Sequence, residues 1–168
     1  MPDGRLVKGE RRRRLLLDAT LRLVGRGGLT AVTQRAVAAE AGVAASAVLY
    51  YFPTVDDLLV AALVDVNDRW VAALRELPAD LDALVALVAG SSAGDAGLAE
   101  YELYLLAARR PQLRPELDRW WEALDALAAR FAPERAAAFS AVLDGLFLRA
   151  CTGADPERIR EALVPLTS

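Results

Sequence analysis

The chain has 168 residues, 55% of them apolar, and a net charge of −3. That length and apolar share suffice for one large domain or two small ones around a shared core, with little disorder. There is no histidine, which removes the usual general base, the serine–histidine pair and the commonest transition-metal ligand, so no enzyme, cofactor or metal site is expected.

Residues 1–9 read as a disordered tail. A first helix is expected over about residues 10–24, opened by Arg11, Arg12, Arg13 and Arg14, with Leu16, Ala19, Thr20 and Leu23 on its apolar stripe. Four cations at a helix start oppose the macrodipole and point to an external anion such as phosphate. Asp18 and Arg22 interrupt the apolar run LLLDATLRLV. No secretory signal or membrane span is therefore read, and a cytoplasmic location is expected.

Gly25-Arg26-Gly27-Gly28 ends this helix. Two short helices follow, Gln34–Ala41 and Ala45–Tyr51. Thr33 is placed to cap the first, and Gly42 stands where a chain leaving a helix often needs positive φ. Helix, glycine turn, helix is the arrangement that puts its second member into a DNA major groove. Pro53 stops the second short helix, and Thr54 with Asp57 forms a capping-box pattern for a long fourth helix reaching residue 77.

The fourth helix carries an apolar stripe of Leu59, Leu63, Val66, Trp70, Leu74 and Leu77, closed by Pro78. Further helices are expected over residues 80–89, 98–109 and 115–131, with residues 90–97 as a loop. An eighth helix after Pro133 extends to Ala150, and a last one covers Pro156–Leu163. Cys151 is the single cysteine and reads as a small core residue. The fold class is all-α, with head 10–53 and body 54–168 joined through the fourth helix. Residues 1–60 hold nine Lys+Arg against six Asp+Glu, a net of +3, and the remainder carries −6. A basic head on an acidic body suits a phosphate-facing domain joined to one that does not bind DNA.

Residues 10–64 resemble the TetR family of bacterial transcriptional regulators. The resemblance rests on the basic first helix, GRGGLTAVT, AEAGV, and the aromatic pair Tyr50-Tyr51 running into Phe52. It implies an N-terminal DNA-binding domain and a helical ligand-binding and dimerisation domain. Groove contact is expected from Ala44, Ala45, Ser46 and Tyr50, with Gln34 and Arg35 reaching base edges. Leu49 and Val55 fall where the family often has a tyrosine and a lysine. Phosphate contact is therefore expected from the arginine run, Thr33, Arg35, and Tyr50 or Tyr51.

The same resemblance implies a small-molecule pocket. Trp70, Leu74, Glu100, Tyr101, Tyr104, Trp120 and Trp121 are its candidate lining, with Glu100 as the polar group one turn from Tyr104. The eighth helix is apolar on most sides, so a homodimer is expected through Phe139, Val142, Leu143, Leu146, Phe147 and Ala150. The expected function is a ligand-responsive repressor that binds a palindromic DNA operator as a homodimer and is released by a small apolar or aromatic effector. The alternative is an all-α ligand-binding or protein-interaction module with weak or no specific DNA binding.

Overall fold

The computed structural model describes residues 4–91, 95–153 and 155–167. Among them every regular element is helical: α1 (Gly4–Gly27), α2 (Gln34–Ala41), α3 (Ala45–Tyr51), α4 (Val55–Glu76), α5 (Leu81–Ser91), α6 (Asp95–Ala108), α7 (Arg114–Phe131), α8 (Ala136–Ala150) and α9 (Pro156–Leu163). No single helix among them is long and apolar enough to cross a membrane.

Helix α1 begins at Gly4, so the disordered tail expected over residues 1–9 is corrected for residues 4–9, and residues 1–3 lie outside the described residues. The added turns lie beside the third helix, where a Cβ on Gly9 would stand 3.8 Å from the Tyr51 hydroxyl. Helix α6 also starts earlier than expected, at Asp95.

Local chemistry sets the helix ends. The Thr33 hydroxyl accepts from the Ala36 N–H at 3.0 Å. Gly42 takes φ 65°, ψ 36°, a left-handed conformation that costs glycine nothing. Thr54 and Asp57 exchange both bonds of a capping box. The Arg130 guanidinium donates to the carbonyls of Leu74 and Leu77 and so caps the C-terminus of α4.

Two hydrophobic cores result. The first gathers α1, α2, α3, the first half of α4, and Ala99, Leu103 and Ala107 from α6. The second gathers Val71 and Leu74 from the far half of α4 with α5, α7, α8 and α9. Helix α4 thus runs through both, and α6 completes the core of the head.

Three contacts tie α6 to the head. At its start, the Asp95 backbone lies against Gly25, where any Cβ would clash. In its middle, the Glu102 carboxylate accepts the Leu29 N–H at 2.9 Å. Past its end, Arg110 pairs with Asp56 in the first turn of α4.

The expected dimer face of α8 needs correction. Phe139, Leu143, Leu146, Phe147 and Ala150 are buried within the chain's own second core, and Val142 is half-buried against it. Helices α5, α7 and α9 supply enough apolar surface to cover that side of α8. The outward side carries Ala138, Ala141, Gly145 and Leu148, with Leu148 54% exposed. These four fall at offsets 0, 3, 7 and 10, one stripe along the helix.

Candidate DNA-binding face and ligand cavity

Val37 and Ala38 of α2 and Val48 of α3 anchor the two short helices in the head core. Glu40 strengthens the anchorage of α2 on α1, accepting from Arg22 at 2.6 Å and from Arg26. Bonds from Arg26 and then Arg22 hold its carboxyl below the usual carboxylate range. With Val48 inward, α3 presents Ala44, Ala45, Ser46, Leu49 and Tyr50 to solvent, and Tyr50 is 81% exposed. Tyr51 is half-buried and meets Tyr50 edge-on, with ring centroids 5.2 Å apart.

The polar candidates divide into two groups. Arg11, Arg12 and Arg35 are exposed. Thr33 is exposed as well, and its hydroxyl keeps its own proton to donate while capping α2. The others are engaged. Arg13 lies over the Phe52 ring, 5.6 Å from its centroid. Arg14 pairs with Asp65 of α4 at 2.9 Å and with Asp18 at 3.4 Å.

Gln34 is engaged as well. Its amide donates to the carbonyls of Phe52 at 3.2 Å and Pro53 at 2.8 Å, which turns the side chain toward the α3–α4 corner. A helix-opening glutamine is equally suited to reading a base or closing a turn. Only the fold, which brings residue 53 beside residue 34, separates the two uses.

The cavity lies where the two cores meet. Leu63 and Tyr104 belong to the first core, Trp70, Tyr101, Trp120 and Phe147 to the second. The space between them is about 50 Å³. Five of the seven expected lining residues are there: Trp70, Glu100, Tyr101, Tyr104 and Trp120. Leu74 lies deeper, in the second core, and Trp121 stands at the surface beneath Arg114, so both are corrected to positions outside the lining.

Leu63, Val66, Asn67, Asp144 and Phe147 complete the lining. Leu63 and Val66 are legible in the sequence as one stripe with Trp70, but nothing there assigns them to a pocket. Asp144 stands out in sequence only as the single charge between Arg135 and Arg149. Phe147 reads there as interface.

Two carboxylates sit among these rings. Glu100 Oε2 accepts the Trp70 indole N–H at 2.9 Å. Asp144 Oδ1 accepts the Trp120 indole N–H at 3.2 Å, and its backbone carbonyl accepts the Tyr101 hydroxyl at 3.1 Å. Burial pushes the Glu100 carboxyl above its usual range, against the opposing pull of the Trp70 bond and the Arg69 charge. Burial, then the Asp144 charge, also pushes the Tyr101 phenol well up, so it remains a neutral donor.

Asn67 closes the floor by donating to the Glu116 carbonyl and carboxylate at 2.7 and 3.0 Å. Among the described residues, no lysine or arginine lines the cavity. An aromatic box with carboxylates and no lining cation attracts positive charge through both the ring faces and the acids.

Comparison with known proteins agrees with this division of labour. Residues 16–62 match the model of bacterial regulatory proteins of the tetR family, and residues 76–168 match a tetracyclin repressor-like C-terminal domain. The transcriptional repressor KstR of Rhodococcus jostii is 48% identical over 58 residues, 34% of this chain and 27% of KstR. The match thus spans under a third of that relative's length. The regulator BetI of Burkholderia thailandensis is 32% identical over 173 residues, covering 92% of this chain and 89% of BetI.

Among solved structures, the multidrug binding protein EbrR complexed with malachite green superposes with a TM-score of 0.69. It is 39% identical and covers 92% of this chain and 97% of EbrR. EbrR has also been solved with ethidium and with proflavin. With a head, a body and nearly full-length relatives that all agree, the chain belongs to the TetR family of bacterial regulatory proteins.

Proposed function

We propose that this protein is a homodimeric transcriptional repressor that leaves its palindromic operator when an aromatic or lipophilic organic cation binds the cavity. One observation carries the reading: a cavity walled by five aromatic rings and two carboxylates lies between the core of the DNA-binding head and the core of the body. A ligand there touches both cores at once. It can favour one arrangement of the two over another, which is the requirement for coupling two sites.

The charge follows from the lining. Glu100 and Asp144 make a neutral or anionic ligand unfavourable in a desolvated box and a delocalised cation favourable. The dyes bound by EbrR are aromatic cations of this kind. On the DNA side, Arg11, Arg12, Arg35 and Thr33 supply phosphate contacts, and the exposed alanines of α3 suit thymine methyl groups.

The test is a binding titration of the DNA upstream of the protein's own coding sequence, at several salt concentrations. Tetraphenylphosphonium serves as the cation, because it does not intercalate. Salt-sensitive binding that weakens when the cation is added supports the reading. Absence of sequence-preferring DNA binding, together with tight cation binding, would favour a ligand-binding module instead.

A further inference from the structure

A benzene ring occupies an engineered apolar cavity of about 150 Å³, and pockets for drug-sized molecules run to about 300–1,000 Å³. The space here is about 50 Å³. A polycyclic cation does not fit inside this space as it stands, and seating one there requires something now in the box to leave it.

The Trp70 indole is the group already making a ligand's contacts. It lies edge-on to Phe147 at 5.4 Å and 70°, and edge-on to Trp120 at 6.2 Å and 79°. Its N–H, the positive edge of the ring, donates to Glu100. A flat aromatic cation entering the box would meet the same two rings and place its charge against the same carboxylate.

Two features suit Trp70 to leaving the box. It is only half-buried, as Tyr101, Tyr104 and Trp120 also are and Phe147 at 3% exposure is not, so a change of rotamer can carry its indole toward solvent. Trp70 also belongs to α4, the helix that runs through both cores and starts directly after the recognition helix. Displacing it acts on the element that joins the cavity to the DNA-binding head.

We infer that Trp70 is a built-in competitor: it occupies the aromatic box and Glu100 in the free protein, and a cationic ligand binds by expelling it. This rests on the cationic-ligand reading above. A tethered competitor lowers apparent affinity by the fraction of molecules in which the box is open. Removing it therefore raises affinity, whereas removing a wall lowers it. The sign of one substitution decides between the two roles.

Ethidium, whose fluorescence rises on burial, is titrated against full-length wild type, Trp70→Ala, Trp70→Phe, Trp120→Ala and Glu100→Gln, without DNA. Trp70→Phe keeps a ring and so protects the fold, but releases Glu100. Expected are tighter binding by Trp70→Ala, by roughly tenfold for the freed charged hydrogen bond, and a smaller gain for Trp70→Phe. Trp120→Ala and Glu100→Gln are expected to bind more weakly than wild type.

Weaker binding by both Trp70 variants, alongside ethidium binding by wild type, makes Trp70 a wall and overturns the inference alone. Absence of ethidium binding by every protein in the set overturns the cationic-ligand reading and the competitor with it.

Discussion

Glu100 combines its proposed role in binding with a penalty in folding, and the two can be read apart. Its carboxyl is raised by burial, so the folded state holds the proton more tightly than the unfolded chain does. The stability this contributes is complete below the unfolded carboxylate pKa of about 4.3 and is lost as pH rises through the folded value. Glu100→Gln is therefore expected to raise Tm more at pH 8 than at pH 4, while lowering affinity for a permanent cation. Wild-type cation affinity is expected to climb with pH over the same window, as Glu100 ionises amid the Trp70 N–H, Arg69, Tyr101, Tyr104 and Asp144. A flat pH profile in wild type would remove Glu100 as the anionic pole.

Gln34 makes an opposite pair of expectations. Gln34→Ala should cost about 1 kcal/mol in urea unfolding by removing two hydrogen bonds at the α3–α4 corner, and leave the DNA sequence preference unaltered in a selection from random DNA. A changed preference would restore Gln34 as a reading residue. Arg11→Ala and Arg12→Ala should instead flatten the slope of log affinity against log salt, by about one unit for each DNA phosphate that the variant no longer neutralises.

At the scale of the elements, α6 holds the cavity on one side and the head on the other. Glu100, Tyr101 and Tyr104 face the box, while Glu102 and the Asp95 backbone face α1 and its exit. Gly25→Ala should cost about 1–3 kcal/mol, as overpacking against a backbone does, measured by urea unfolding. Glu102→Ala should reduce the factor by which a cation weakens DNA binding more than it changes either affinity alone. Most helix boundaries are legible in the sequence because punctuation marks them: Thr33, Gly42, Pro53, Thr54 and Pro156 each have a local chemical reason to end or start a helix. The partner of α6 is not legible. Its apolar residues lie nearly all round, and periodicity cannot say that Ala99, Leu103 and Ala107 meet α1 rather than the body. The same ambiguity misdirects the reading of α8, whose most apolar face meets its own chain.

For the whole molecule, the two cores and their shared helix explain why a small ligand can matter at a distance. If a second copy pairs on the stripe of Ala138, Ala141, Gly145 and Leu148, reading a palindrome requires the two recognition helices to lie about one DNA turn, 34–36 Å, apart. Leu148→Glu should give a folded monomer by sedimentation, whereas Leu143→Glu should unfold the chain by burying an unpaired charge. A folded dimer of Leu148→Glu would move the interface elsewhere. Everything proposed for the molecule turns on a link between the cavity and the DNA-binding face, and linkage is reciprocal. Its most direct test is one thermodynamic box: operator affinity with and without saturating tetraphenylphosphonium, and cation affinity with and without saturating operator. Each ligand is expected to weaken the other by the same factor. Tight cation binding with operator affinity unchanged would contradict the link.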